Sequence, residues 1–147
     1  MSLFLSIHSL TIDNISYMIY NKNKDYKVYY YRNSHNGKVP VFEYIKKLSL
    51  KERAKVFKYI DFLKDNKGIL DEPYSKYIKD KIRELRVDFS RNRHRVFYII
   101  VIERKIILLH AFFKKTIKTP KQEINRALDN FEDYKINKSL VKYEKEK

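Results

Sequence analysis

Hydrophobic and polar positions follow two rhythms along this chain, and the switches between them outline its elements. Lys27-Val28-Tyr29-Tyr30-Tyr31 is short and rich in β-forming side chains. The turn formers from Asn33 to Gly37 close it, which predicts a first strand. Val39 to Leu48 reads as a short helix. Ser49-Leu50-Lys51-Glu52 is a capping box, in which hydroxyl and carboxylate satisfy each other's orphan amides, and it opens a second helix. Leu50, Ala54, Phe57, Ile60 and Leu63 then recur at steps of three and four, and Gly68 supplies the stop. The two helices are expected to pair as an N-terminal apolar hairpin. Leu70 to Lys79 contains Pro73 and reads as a loop.

From Lys81 to Phe89 the period drops to two. Ile82, Glu84, Arg86 and Asp88 share one parity, and Arg83, Leu85, Val87 and Phe89 the other, so this is a strand with one polar face. Ser90 to His94 is a polar connection, Arg95 to Ile102 a nearly continuous apolar strand, Glu103-Arg104-Lys105 a turn, and Ile106 to Phe112 another buried strand. Three sequential strands imply an antiparallel meander. Thr119-Pro120-Lys121-Gln122 offers a capping hydroxyl, a proline at the first helical position and an amide three residues after the cap, so a last helix begins there. Its apolar stripe is Ile124, Ala127, Leu128 and Phe131.

These elements predict one α+β domain over residues 27–134, with helices packed on one face of a small antiparallel sheet. Residues 1–26 are polar and without a clear period, and are expected to be an extension. Residues 135–147 read as a solvated Lys/Glu tail. A length of 147 residues allows one core. The longest apolar run, Val96 to Ile102, is too short to span a bilayer, and the apolar residues near the start lack the flanks of a secretory signal. A soluble, cytoplasmic protein is expected, and the absence of cysteine agrees with a reducing compartment.

Charge sharpens this picture. The chain carries 33 Lys plus Arg against 18 Asp plus Glu, a formal net charge of +15, which suits a polyanionic partner. Lysine is weak evidence here, because abundant Lys, Asn, Ile and Tyr with scarce Gly and Trp is what an A+T-rich genome imposes on any protein. Arginine placement is more informative. Six of the nine arginines fall between positions 81 and 118, where eleven basic residues face three acidic ones.

His8, His35, His94 and His110 are scattered without ligand spacing, and cysteine is absent, so no metal site is expected. Gly-rich phosphate loops and Gly-x-Ser-x-Gly elbows are missing too. What remains is a cationic strand cluster. Arg86 lies on a polar parity, Arg95 opens the next strand, and Lys114 and Lys115 follow the third, so adjacent strands bring all four to one end of the sheet. Guanidinium forks and mobile ammonium groups suit phosphate binding and stabilisation of a pentavalent phosphorane. An ordinary ion pair with Glu84 competes for Arg86. Arg91, Arg93 and His94 occupy a polar loop as expected phosphate contacts. His110 shares parity with Ile106, Leu108 and Phe112, which favours a hydrogen-bonded core histidine. Tyr29, Tyr30 and Tyr31 read as sheet packing, with base stacking open to any exposed ring.

An ordered set of short motifs resembles the phage-derived HigB-type branch of the RelE/ParE toxin superfamily. It comprises Glu84-Leu85-Arg86, Arg95-Val96-Phe97-Tyr98, Leu108-Leu109-His110-Ala111-Phe112-Phe113-Lys114-Lys115-Thr116, and Lys118-Thr119-Pro120 with Glu123-Ile124 and Ala127. The resemblance runs from about Tyr26 to Phe131. It departs from the pattern at Arg83, where the family commonly has Trp, and at Ala111, where it has Gly. It implies a compact toxin of a type II toxin–antitoxin pair, with a two-helix N-terminal hairpin over an antiparallel sheet and a closing C-terminal helix. The implied activity is a ribosome-dependent endoribonuclease, an mRNA interferase that needs no metal or other cofactor. The implied partners are the ribosome, mRNA and a helix-turn-helix antitoxin of the HigA kind.

Carried over by motif position, Arg86, Arg95, Lys114 and Lys115 hold and neutralise phosphate, and His110 becomes a candidate for proton transfer. Arg83, Arg91, Arg93 and Lys118 are expected RNA contacts. Two other classes fit the same charge: a ParE-like toxin that inhibits gyrase by binding, and a non-catalytic nucleic-acid-binding module. Lys114, Lys115 and His110 favour the nuclease.

Overall fold

The computed structural model describes residues 25–144. Within them the chain runs β1 (Lys27–Tyr31), α1 (Pro40–Lys46), α2 (Leu50–Asp65), β2 (Ser75–Lys79), β3 (Ile82–Phe89), β4 (Asn92–Val101), β5 (Lys105–Phe113), α3 (Lys121–Asn137) and β6 (Leu140–Lys142). The expected extension over residues 1–26 lies outside the described residues as far as residue 24. Tyr26 already packs against the core.

Local signals set most of these boundaries. At the start of α2 the Glu52 amide donates to Ser49 Oγ, the N-cap half of the expected capping box, and the Ser49 hydroxyl in turn donates to Glu52 Oε1, so the carboxylate meets the Ser49 side chain and not its amide. At its end the Gly68 amide donates to the Leu63 carbonyl, and Gly68 adopts a φ of +86°. A Cβ there would sit 2.6 Å from Ile100 Cδ1, so the missing side chain also lets the helix end close onto the sheet. The start of α3 differs from expectation. Pro120 takes the cap position without a side-chain bond, and the helix begins one residue later.

All six strands join one sheet in the order β2-β3-β4-β5-β1-β6. β2 to β5 form an antiparallel run. β1, the first strand in the chain, lies parallel to β5, and β6 returns antiparallel to β1. The sheet is therefore mixed, which corrects the purely antiparallel expectation. Two strands fall where none was expected: β2 in the supposed loop 70–79, and β6 in the supposed tail. β4 starts at Asn92, so the connection to β3 shrinks to Ser90 and Arg91.

The helices divide between the two faces, correcting the one-face layout. Val41, Ile45, Val56, Phe57, Ile60 and Leu63 from α1 and α2 pack on Leu85, Val87, Val96, Tyr98, Ile106 and Leu108. Ala127, Phe131 and Tyr134 from α3 pack with Ile82, Phe97, Ile99, Ile107 and Leu109 on the opposite face. The central strands β4 and β5 are thus apolar on both sides over much of their length, as a covered sheet requires. α1 and α2 lie mid-chain, after β1, and not at the N-terminus.

Candidate functional site

Register decides which cations meet. In β3 and β4, Arg86 pairs with Arg95, and Arg95 in turn pairs with Phe112 of β5. Directly paired residues project from the same face, so Arg86 and Arg95 share the face that carries α3. Glu84 is one step along that parity. Its carboxylate is wholly buried, with Oε1 2.8 Å from Arg86 Nε and 4.0 Å from Arg95 Nε. Arg95 Nη1 also donates to Asp88 Oδ1 at 2.7 Å. Glu84 Oε2 and Arg95 Nε have no hydrogen-bond partner, so the network retains polar capacity.

Lys114 joins the same group. Its amide donates to the Arg93 carbonyl, which fixes the chain just past β5. The residue is 8% exposed. Burial holds its ammonium below the ordinary lysine range. Glu84 opposes that shift, while Arg95, Arg86 and Arg93 add to it. Arg86, Arg93, Arg95 and Lys114 therefore outnumber the buried Glu84 and the more exposed Asp88 around them, leaving the group net positive.

A bulge brings His110 to this face. Phe97 pairs with His110 and Tyr98 with Leu108, so Leu109 is an extra residue in β5. Parity counted through Leu109 would put His110 with Ile106 and Leu108. Instead its ring lies against Phe97 and stacks on Phe112 at 5.9 Å between centroids, both in the α3-side core. It stands diagonally across from Arg95, a separation of about 7–8 Å between neighbouring strands. Glu123 of α3 places Oε2 2.8 Å from His110 Nε2 and so orients the imidazole.

The remaining expected residues are spread out. Lys115 and Lys118 are exposed in the segment between β5 and α3, and Arg91 is exposed in the β3–β4 turn. Arg83 is on the other face, where its guanidinium contacts the Tyr98 hydroxyl and Ser75 Oγ, both 3.4 Å away. The sheet thus separates this expected RNA contact from Arg86, Arg95 and Lys114. His94 is buried on that side as well, between the Tyr44 hydroxyl at 2.7 Å and the Glu52 carboxylate, and is a packing residue, not a phosphate contact. Tyr30 and Tyr31 are buried, which removes them as stacking rings.

Sequence reasoning missed the central place of Glu84 and the orienting role of Glu123. The first was legible as a neighbour of Arg86, but the second needed the packing of α3. Among the described residues no group of three or more His, Asp or Glu is placed to hold a metal ion, and no helix is long and apolar enough to cross a membrane.

A comparison with curated proteins found no match. The family model described as Phage derived protein Gp49-like (DUF891) matches residues 43–132, a span from α1 into α3 that contains Glu84, Arg86, Arg95, His110, Lys114 and Glu123. With more than half of its length matched, the chain belongs to this phage-derived Gp49-like family.

Proposed function

We propose that this protein is the toxin of a type II toxin–antitoxin pair and an endoribonuclease that cuts translated mRNA on the ribosome. The Gp49-like family is associated with RelE/HigB-like toxins, and the ordered Glu-Leu-Arg and His-Ala-Phe-Phe-Lys-Lys motifs support the finer reading. The observation that carries it is the convergence of Arg86, Arg95 and Lys114 around buried Glu84, on the sheet face that also presents His110.

In the proposed reaction a ribose 2′-oxygen attacks the adjacent phosphorus, giving a cyclic phosphate as the bond to the 5′-oxygen breaks. Arg86 and Arg95 neutralise the non-bridging oxygens as charge builds in the phosphorane. Glu84 holds the two guanidiniums in register. Lys114, a stronger acid than an ordinary lysine, protonates the departing 5′-oxygen. His110, steadied by Glu123, accepts the proton of the 2′-hydroxyl. Lys115, Lys118, Arg91 and Arg93 hold flanking phosphates. A HigA-like helix-turn-helix antitoxin is the proposed partner, and the cytoplasm the proposed location.

Induction of the full chain in a bacterium should halt growth and create new mRNA 5′ ends inside translated frames. Arg86 is partly exposed, so Arg86→Ala should fold and cut roughly 100-fold more slowly, the cost of one lost transition-state donor. Unchanged growth and mRNA ends with the intact protein would refute the nuclease. A DNA-damage response without mRNA cuts would instead identify a gyrase poison.

A further inference from the structure

Helix α2 carries a second cationic surface whose composition packing does not explain. Lys51, Lys55, Lys58 and Phe62 fall at steps of four, three and four, one continuous stripe of the helix. Phe62 is 44% exposed and Tyr74, in the segment before β2, is 49% exposed. The Tyr59 ring lies between them, with its centroid 6.0 Å from that of Phe62 and 5.9 Å from that of Tyr74. Two ammonium groups sit over these rings: Lys55 Nζ is 5.6 Å from the Tyr59 centroid, and Lys58 Nζ 5.6 Å from the Phe62 centroid.

This surface connects to the cationic face at two points. The Arg86 amide donates to the Tyr74 carbonyl at 2.8 Å, so Tyr74 adjoins the strand position that presents Arg86. Lys55 Nζ donates to the carbonyl of Asp88, whose carboxylate binds Arg95. A strand leaving Arg86 and Arg95 around the β3 side of the sheet therefore meets the rings next. We propose that Lys55, Lys58, Tyr59, Phe62 and Tyr74 form a stacking platform for single-stranded RNA; its role as the subsite for bases flanking the cut rests on the nuclease reading.

Every base has a π-face, so exposed rings bind a single strand without reading its sequence, while lysines beside them follow its phosphates. A protein partner burying the same rings would have to desolvate the ammonium groups that cover them. A polyanion neutralises those groups where they stand, which is why RNA is the favoured occupant. A duplex keeps its bases stacked internally and gains nothing from the rings.

The test is fluorescence anisotropy with a uniformly 2′-O-methylated single-stranded oligonucleotide, which lacks the attacking hydroxyl and reports binding apart from cleavage. The F62A/Y74A double variant should lose roughly tenfold or more in affinity, with its circular dichroism intact and with duplex RNA of equal length bound as before. The double variant Phe62→Tyr with Tyr74→Phe should bind the single strand like the parent. Unchanged single-strand affinity in F62A/Y74A, or an equal loss toward the duplex, overturns the platform. So does a variant whose only defect is loss of a co-purifying protein. Ring-dependent binding without any mRNA cleavage on induction would remove the nuclease reading alone; cleavage with ring-independent binding would remove the platform alone.

Discussion

Glu84 is wholly buried, and Arg86, Arg95 and Lys114 all feel its charge. Glu84→Gln keeps the shape and removes the only buried acidic charge of that group, so the cations are left to repel one another in a poorly solvated site. We expect a loss of about 3 kcal/mol, read from the urea midpoint; an unshifted midpoint would mean that Asp88 and solvent balance the guanidiniums alone. Arg95 is 5% exposed and tied to Asp88 and Glu84, so Arg95→Ala perturbs stability as well as chemistry. Lys114 adds a pH prediction. Its folded-state pKa lies below the ordinary lysine value, so between those two values the unfolded chain binds more protons and stability rises with pH. Only the ammonium can protonate a leaving group, so cleavage should fall on the alkaline side at a lower pH than an ordinary lysine would set. Glu84→Gln removes the neighbour that raises this pKa and should move the limb lower still. A rate profile that stays flat to the ordinary lysine range would exclude Lys114 as the acid. At this scale the sequence showed the cations but not their full arrangement: Glu84 was visible two residues before Arg86 on the same parity, whereas the bulge at Leu109, which decides the face of His110, leaves no mark in the apolar run 106–109.

The elements legible in advance were those whose own periodicity meets a covered surface. Phe57, Ile60 and Leu63 of the expected α2 stripe are buried, as are the apolar runs of β4 and β5 over most of their length, whereas Leu50 and Ala54 in the first turns of the helix face solvent and Val56 completes the buried face instead. The Ser49 cap fixes where α2 begins. β2 was hidden because Ser75-Lys76-Tyr77-Ile78-Lys79 is an edge strand, mostly exposed and preceded by proline. The apolar stripe of α3 was evident, but a stripe does not say which side of a sheet it will cover. Between elements, α1, α2 and β4 are bolted by Tyr44, Glu52 and His94. Glu52 is hydrogen-bonded by His94, and further by Asn92 and Ser49, which together hold its carboxyl below the usual range despite burial. A depressed carboxylate contributes stability above its unfolded pKa and loses it as pH falls through the folded value. Glu52→Gln should therefore lower stability at neutral pH by about 1–2 kcal/mol and flatten acid unfolding in that range. Parallel acid-unfolding curves for parent and variant would show that the bolt carries no net energy.

Across the whole molecule the mixed sheet depends on its last strand. β1 is interior only because β6 covers it: Tyr29, Tyr30 and Tyr31 pair with Lys142, Val141 and Leu140. Without β6 a tyrosine-rich strand would present unpaired backbone at the sheet edge, a template for association. The same segment brings Tyr143 into the α1/α2-side core, with its ring 5.7 Å from Tyr30 and 5.9 Å from Phe57, and its amide bound to the Val28 carbonyl. Burial raises the pKa of this phenol, and its hydroxyl donates to the Phe57 carbonyl, so it belongs to the interior despite its charged neighbours in sequence. Ending the chain after Lys138 should cost about 3 kcal/mol, of which the lost aromatic packing is the larger part, and should make the protein self-associate beyond whatever state the full-length chain adopts. Tyr143→Ala separates the two effects, because it keeps the β6 backbone: it should reproduce most of the lost stability without the association. Urea midpoints and sedimentation velocity on the three proteins read both quantities. If the truncated chain kept both the sedimentation profile and the urea midpoint of the full-length protein, β6 would be a passive addition, and the closure of the sheet would have to come from β1 alone.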